Sequence, residues 1–264
     1  MIKVVVTGVS GKMGSTICRG ILSEEDIKLI AAVSTSKAGI ELGQIIGTPT
    51  IKVITVKTIK EALKSNPEVL IDFTNASVAP DNIIFALENG IHAVIGTTGI
   101  DEQKIAKIKK KAEEVKANVI MAPNYAIGAA MMMNFVKKAA PNFKDCEIIE
   151  LHHDKKADAP SGTALATANL IKSIYKSRKR LKDGEKEKVE GARGCFASNI
   201  HIHSIRLPGL IAHQEVIFGT TGQTLTIRHD SISRESFLPG IFLAVRNVAK
   251  MPGFTYGIDK LLGF

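Results

Sequence analysis

The stretch Ile2–Gly14, IKVVVTGVSGKMG, constrains the fold of this chain more than any other. A run of apolar, mostly β-branched residues enters a turn with glycines at positions 8, 11 and 14, and Lys12 to Leu22 continues with helical periodicity. A strand apolar at nearly every position is buried on both faces, which argues a parallel sheet covered by helices. Glycines at this spacing permit a tight turn and let a pyrophosphate approach the amides at the helix start. Gly8, Val9, Ser10, Gly11, Lys12 and Met13 are therefore candidate dinucleotide-binding residues. The spacing GxxGxxG departs from the commoner GxGxxG, and glycines that merely make a βα turn are the alternative.

The pattern set by this opening repeats. Further strands are expected at Ile27 to Ser34, Val69 to Phe73, His92 to Ile95 and Asn118 to Met121, with a weaker one near Ile51 to Ile54. Helical segments lie between them, near Thr58 to Leu63, Val78 to Asn89 and Asp101 to Ala117. This is the doubly wound α/β plan. After Pro123 the texture changes. A helix from Gly128 to Ala139 leads to a strand at Glu147 to His152, a helix opening at Ser161, and β-rich runs at Asn199 to Leu207, Ala212 to Phe218 and Leu225 to His229. The alternation in these runs suits a sheet with one open face. A last apolar helix, Ser236 to Ala249, must pack against another element. The expected domains are 1–126 with 232–264, and 127–231, the second an α+β unit.

Composition narrows the function classes. The 264 residues carry 45% hydrophobic and 23% charged side chains, the balance of a globular protein, and no stretch has the run of uncharged apolar residues a membrane helix needs. The N-terminus has no signal-like zones, so the expected location is cytoplasmic. Cys18, Cys146 and Cys195 are odd in number and far apart, which suggests neither disulfides nor a cysteine metal site. The net charge of +9 raises the question of nucleic acid. Its densest run, Lys176 to Lys188, is interrupted by acids, and aromatic content is only 5% with no Trp, poor material for base stacking. It reads as a solvated loop. Lys104 to Lys116 repeats at helical spacing over an Ile105, Ile108, Ala112 and Val115 stripe, so its lysines form the wet face of an amphipathic helix. No nucleic-acid or membrane partner is expected.

The place where an NAD-binding fold usually carries Asp or Glu reads Ser34-Thr35-Ser36-Lys37. Hydroxyls and a lysine suit a 2′-phosphate, which points to NADP, with an ordinary polar loop as the equal alternative. Gly96, Thr97 and Thr98 follow one strand, and Ala122, Pro123, Asn124 and Tyr125 follow another, at the sheet edge where such folds bind ligands. The densest polar cluster is Glu150 to Thr163, ELHHDKKADAPSGT. Ser161 is a good N-cap, so the amides of Gly162 and Thr163 should face the loop as a small anion site beside His and Lys proton donors. His152 and His153 are adjacent and point apart if extended, and His201 with His203 has no evident third ligand, so no metal is expected.

In order along the chain, VTGVSGKMG, IDFT, VIGTTG, APNYAIG and ELHHDKKADAPSGTA closely resemble the 4-hydroxy-tetrahydrodipicolinate (dihydrodipicolinate) reductase family, over essentially the whole length. The resemblance implies a Rossmann-like dinucleotide-binding domain and an α+β domain that binds substrate and builds a homotetramer. It implies hydride transfer from NAD or NADP in its reduced form to an unsaturated heterocyclic dicarboxylate, in diaminopimelate and lysine biosynthesis. By matching position, His152 corresponds to the proton donor or acceptor and Lys156 to the proton donor. His153, Gly162 and Thr163 correspond to substrate contacts, and Gly8 to Met13, Gly96 to Thr98 and Ala122 to Tyr125 to cofactor contacts. Relatives often carry an acid where this chain has Ser34 and Arg where it has Lys12, so NADPH is expected to serve at least as well as NADH. Tyr125 stands where Phe is frequent and keeps the ring.

Two rival readings bracket this one. A semialdehyde-type dehydrogenase would need a nucleophilic cysteine in an entry loop, whereas Cys146 falls in an expected strand. A regulatory protein that binds dinucleotide without turnover would lack the His and Lys donors, and both are present.

Overall fold

The computed structural model describes residues 1–175, 180–182 and 184–264. They divide into two compact units, Met1–Tyr125 with Arg234–Phe264, and Ala126–Ser233. The basic run from Lys176 lies partly outside the described residues.

In the first unit, β1 (Ile2–Thr7), β2 (Ile27–Val33), β3 (Thr55–Val56), β4 (Val69–Asp72), β5 (His92–Ile95), β6 (Val119–Met121) and β12 (Phe254–Tyr256) form a 7-stranded sheet in the order β12-β6-β5-β4-β1-β2-β3. All its pairings are parallel. Val4, Val5 and Val6 have no exposed surface, as the opening strand requires. The strand order reverses direction at β1, between β2 and β4, where such sheets open a crevice at their carboxyl ends.

Helices α1 (Lys12–Ile21), α2 (Leu42–Ile46), α3 (Ile59–Ala62), α4 (Ala79–Glu88) and α5 (Glu102–Val115) connect these strands. Helix α5 follows the expected pattern, with Ile108 and Ala112 buried and its lysines outward. Asp101 caps it by accepting the Gln103 amide at 2.8 Å, and Lys116 ends it in the left-handed region.

Three elements differ from the sequence expectation. The weak strand near Ile51 to Ile54 is reduced to a turn, in which the Ile51 amide donates to Thr48, and a single antiparallel bridge between Ile54 and Glu41, and pairing with β2 begins only at Thr55. Ile51 is buried there by loop packing rather than by a ladder, which produced the strand-like signal. The five-residue α2 and the three-residue β12 are too short to give a periodic signature.

The C-terminal helix α8 (Leu238–Asn247) belongs to the first unit. Its end is fixed by Asn118, whose Nδ2 donates to the carbonyls of Val248 and Ala249 at 2.9 and 3.0 Å while its Oδ1 accepts the Gly253 amide. Arg246 donates to Asp26 at 2.7 Å and also reaches Glu24.

The second unit holds α6 (Ile127–Ala139), β7 (Asp145–His152), α7 (Gly162–Lys172), β8 (Cys195–Ala197), β9 (Ile200–Arg206), β10 (Ala212–Thr220) and β11 (Gln223–Ser231). The sheet order is β11-β10-β7-β9-β8, antiparallel except between β7 and β9. Cys146, Ile148, Ile202, Val216 and Phe218 project from one face into a core shared with Met132 and Val136 of α6 and Ala164, Ala168 and Ile171 of α7. The period-2 alternation follows from this one-sided burial. Strand β8 was not legible in the sequence, being three residues at an edge.

No described helix is long and apolar enough to cross a membrane.

Candidate functional site

The glycine turn after β1 is shaped by close approach. Gly8 sits at φ +77°, and a Cβ on it would lie 2.4 Å from the Phe73 carbonyl oxygen. A Cβ on Gly14 would lie 2.2 Å from the Gly8 oxygen, so helix α1 seats against the turn only because that side chain is missing. Gly11 is different. It is exposed, has its nearest neighbour at 3.2 Å, and occupies the N-cap of α1 without any side-chain cap. The first turn of α1 carries no acid. The amides of Lys12, Met13 and Gly14 therefore stand at a positive helix end that no side chain of the helix quenches. An anionic phosphate group fits this cradle. Val9 is wholly buried and its amide donates to the Val33 carbonyl, so it supports the turn from beneath.

After β2, Ser34 is buried and its hydroxyl donates to Ser10 Oγ at 3.2 Å, tying the second loop to the glycine turn. Thr35, Ser36 and Lys37 are exposed. The Lys37 carbonyl is fixed by Thr55 Oγ1, which leaves the lysine side chain to solvent and to any group bound there.

A cavity of about 450 Å³ opens at the carboxyl ends of β4, β5 and β6. Met13, Gly96, Thr97, Thr98 and Ala122 to Tyr125 line it, whereas Gly8 to Lys12 and Ser34, Thr35 and Lys37 are not among its lining residues. Phe73, Thr74, Asn75 and Phe237 complete the wall and were not anticipated. Phe73 and Thr74 belong to the IDFT motif and Asn75 comes next after it, whereas Phe237 is distant in sequence and gave no signal. Tyr125 contributes its ring, 6.0 Å from that of Phe73, while its hydroxyl donates to the carbonyl of Ile95 at the end of β5, with that of Ile120 in β6 at 3.2 Å. Burial drives that phenol's pKa far up, so it stays protonated and structural.

Beneath the cavity, Asp72 has no exposed surface. Its carboxylate accepts from Thr7 Oγ1 (2.7 Å), Thr74 Oγ1 (2.8 Å), Thr97 Oγ1 (2.6 Å) and Asn82 Nδ2 (3.2 Å). Thr97 Oγ1 in turn accepts the Thr74 amide at 2.9 Å. One side chain thus fixes the ends of β1, β4 and β5 against each other. Thr97 has its hydroxyl committed to this network, so it offers a ligand its backbone.

In the second unit, β7 delivers Glu150 and His152 on one face, two residues apart. Glu150 has no exposed surface. His152 Nδ1 lies 2.5 Å from Glu150 Oε2, and Arg206 forks onto the same carboxylate at 2.9 and 2.7 Å. Burial is the largest influence on Glu150 and raises its pKa, but bonds from Arg206, Ser204 and His152 with the Arg206 charge outweigh it, and the net direction is down. Burial is also the largest influence on His152 and lowers its pKa; Lys156 and Arg206 push the same way and Glu150 opposes them. The net direction for His152 is down, toward the neutral imidazole.

Ser161 caps α7 as the sequence predicts, accepting the Ala164 amide at 3.1 Å, and its own amide donates to Glu150 Oε1. Gly162 is exposed with nothing within 4 Å of a Cβ, and no acid occupies the first turn. Lys156 Nζ donates to Asp158 at 2.7 Å, and His153 Nδ1 is buried without a hydrogen-bond partner among the described residues. A polar ligand is what such an orphaned atom needs. His152, Lys156, His153, Gly162 and Thr163 all fall in this segment of the second unit. Glu150 and Arg206 are the residues that sequence reasoning passed over. The spacing of Glu150 and His152 on one strand face was a usable signal; Arg206 arrives only through pairing of β9 with β7. Among the described residues, no group of three or more His, Cys, Asp and Glu side chains is placed to hold a metal ion.

Comparison with known proteins supplies what geometry cannot. Residues 2–125 match the family described as "Dihydrodipicolinate reductase, N-terminus" and residues 128–262 the family "Dihydrodipicolinate reductase, C-terminus". The chain is 46% identical over 264 residues to the 4-hydroxy-tetrahydrodipicolinate reductase of Moorella thermoacetica, covering 100% of this chain and 98% of that one. It is also 46% identical to the reductase of Dictyoglomus turgidum, covering 99% and 98%. A solved dipicolinate-bound dihydrodipicolinate reductase from Paenisporosarcina sp. TG-14 superposes with a TM-score of 0.86 at 38% identity, covering 98% of this chain and 99% of that chain.

Proposed function

Because the chain belongs to the dihydrodipicolinate reductase family, we propose that it reduces 4-hydroxy-tetrahydrodipicolinate to tetrahydrodipicolinate with hydride from a nicotinamide cofactor, in diaminopimelate and lysine synthesis. The observation that carries this reading to particular residues is the His152 and Lys156 pair beside the open N-terminus of α7.

The first domain binds the cofactor. Its pyrophosphate would rest on the amides of Lys12 and Met13 at the start of α1, and the cavity wall from Gly96 to Thr98 and Ala122 to Tyr125 would take the nicotinamide end. The bound nicotinamide supplies the hydride, and the overall reaction consumes that hydride and one proton while the substrate's hydroxyl leaves as water. The second domain holds the substrate's carboxylates on the amides of Gly162 and Thr163, with His153 alongside. Hydride addition to a conjugated imine leaves an electron-rich framework that a proton must quench. Lys156 Nζ provides that proton, and its charge stabilises the developing anion. His152, with Nδ1 turned to Glu150, has Nε2 left to take up and release protons in the site.

We further infer that NADPH serves at least as well as NADH, supported by the exposed Thr35 and Lys37 and the missing acid at Ser34. The family expectation of a homotetramer built through the second domain's sheet is supported by apolar Leu207, Leu225 and Ile232 left exposed on this single chain. Cytoplasmic residence is the expectation for a biosynthetic reductase.

The test is the oxidation of NADPH and NADH, followed by absorbance, with enzymatically generated 4-hydroxy-tetrahydrodipicolinate. His152→Ala should lower turnover far more than cofactor affinity, whereas Lys156→Ala should lower turnover and weaken substrate binding together. Near-normal rates in both folded variants would remove these residues from the chemistry.

A further inference from the structure

The buried carboxylate of Glu150 touches three functional parts of the second domain, with two donors on each oxygen. Oε2 takes His152 Nδ1 at 2.5 Å, Oε1 takes the Ser161 amide at 3.3 Å, and the Arg206 fork spans both oxygens. Arg206 stands opposite His152 in the β7 and β9 register, and its Nη2 also donates to the Asp158 carbonyl at 2.9 Å. Asp158 is the residue whose carboxylate holds Lys156 Nζ. The chain of contacts thus runs from the histidine through Glu150 to the helix start, and through Arg206 to the loop that carries the lysine.

We propose that Glu150 is the positioning residue of this site: it fixes His152 as the tautomer with hydrogen on Nδ1 and locks the start of α7 at the same time. The inference rests on the reductase reading for its kinetic part only. Two physical arguments carry it. An imidazole whose Nδ1–H is given to a carboxylate presents a bare Nε2, so the partner decides which nitrogen exchanges protons. A carboxylate with no exposed surface is also costly unless its acceptor sites are filled, and Glu150 is filled by side chains from β7 and β9 and by the α7 cap. If Glu150 served only to neutralise Arg206, its bond to His152 would be dispensable, and that is the alternative the test must separate.

The first measurement needs no variant. Nitrogen NMR of the full-length protein labelled at histidine, with the His152 signals assigned by their loss in His152→Ala, should show hydrogen on Nδ1 and an unprotonated Nε2 at neutral pH. The opposite tautomer overturns the proposal, whether or not the protein proves to be a reductase.

The second measurement is the pH profile of Glu150→Gln. The groups acting on His152 are Glu150, which favours its protonated form, and Lys156 and Arg206, which oppose it. Removing the carboxylate charge should move the acid limb of kcat down by about one pH unit and cost about 10- to 100-fold in kcat, with KM changed by less than about threefold. Glu150→Asp, which keeps the charge and shortens the reach, should recover part of the turnover. A folded Glu150→Gln enzyme with unchanged kcat and pH limb would leave Glu150 a structural partner of Arg206 alone. Absence of any cofactor oxidation by the unsubstituted protein would refute the reductase reading while the tautomer result still decides the role of Glu150.

Discussion

Thr97 Oγ1 donates to Asp72 Oδ1 at 2.6 Å, and neither residue makes this contact near solvent: Asp72 is 0% exposed and Thr97 7%. The bond ties the loop that lines the cavity to the end of the neighbouring strand. Asp72→Ala strands the hydroxyls of Thr7, Thr74 and Thr97, so we expect it to cost about 2–5 kcal/mol in urea unfolding and to weaken cofactor binding in parallel. Asp72→Asn keeps the shape but turns one acceptor into a donor facing donors, with a smaller loss of about 1–3 kcal/mol. Native stability in Asp72→Ala would show that the loops are held by other contacts.

The glycines of the first turn should separate by role. Gly14→Ala puts a Cβ 2.2 Å from the Gly8 oxygen, so the helix must move, at about 1–3 kcal/mol or more. Gly11→Val meets nothing closer than 3.2 Å at its Cβ and should fold, yet its branched side chain would stand over the helix start on which the proposed pyrophosphate rests. NADPH titration should show a loss of about tenfold or more for Gly11→Val, equivalent to about 1.4 kcal/mol. Thermal melts alongside give the expected order, with Gly14→Ala the less stable.

Cofactor preference should follow charge after β2. Lys37→Ala is expected to weaken NADPH by about tenfold and leave NADH nearly unchanged, since only the former brings a 2′-phosphate. Ser34→Glu should shift preference toward NADH by repelling that phosphate. Because Ser34 is buried and bonded to Ser10, its new carboxylate must turn outward over Thr35 to Lys37. Equal effects of Lys37→Ala on both cofactors would show that this loop does not read the phosphate.

Acid should act through the histidines first. Burial lowers the pKa of His152, and likewise of His92 and His229, where Glu68 and Asp230 respectively oppose the shift. A depressed pKa means the unfolded chain takes up protons before the folded one, so the favourable contribution is complete above about pH 6.5 and is lost as pH falls through the folded values. Unfolding midpoints should accordingly decline below pH 6.5, ahead of any loss from Asp26, whose carboxylate the Arg246 bonds hold low. The catalytic rate should also fall on the acid side, with an apparent pKa below the ordinary histidine value. A midpoint independent of pH between 7 and 5 would contradict this assignment.

Much of the fold could be read because its determinants are local. Runs such as Val4 to Val6 are buried on both sides and look it, and Asp101 and Ser161 cap the helices that their side chains announce. Ile51 misled because an apolar residue packed under a loop has the same composition as one in a strand. The site was legible where a motif is continuous, as in Gly8 to Met13 and His152 to Thr163. It was opaque where the partner comes from another element. Arg206 reaches Glu150 across 56 positions, and Phe237 joins the cavity wall from the far end of the chain. Such contacts are set by strand register and helix return, which leave no periodic trace in either segment.

The grip of Asn118 on Val248, Ala249 and Gly253 gives the order of synthesis a consequence. By the time a ribosome has made β1 to β6 and the four residues after them, the first domain has every residue of its glycine turn and all of its cavity lining except Phe237. It still lacks β12, the seventh strand, and the carbonyls that satisfy Asn118, and it has yet to receive Phe237. More than a hundred further residues, the whole of the second unit, emerge before these arrive. The domain begun first is thus the one finished last, and a nascent chain holds an open β6 edge throughout that interval.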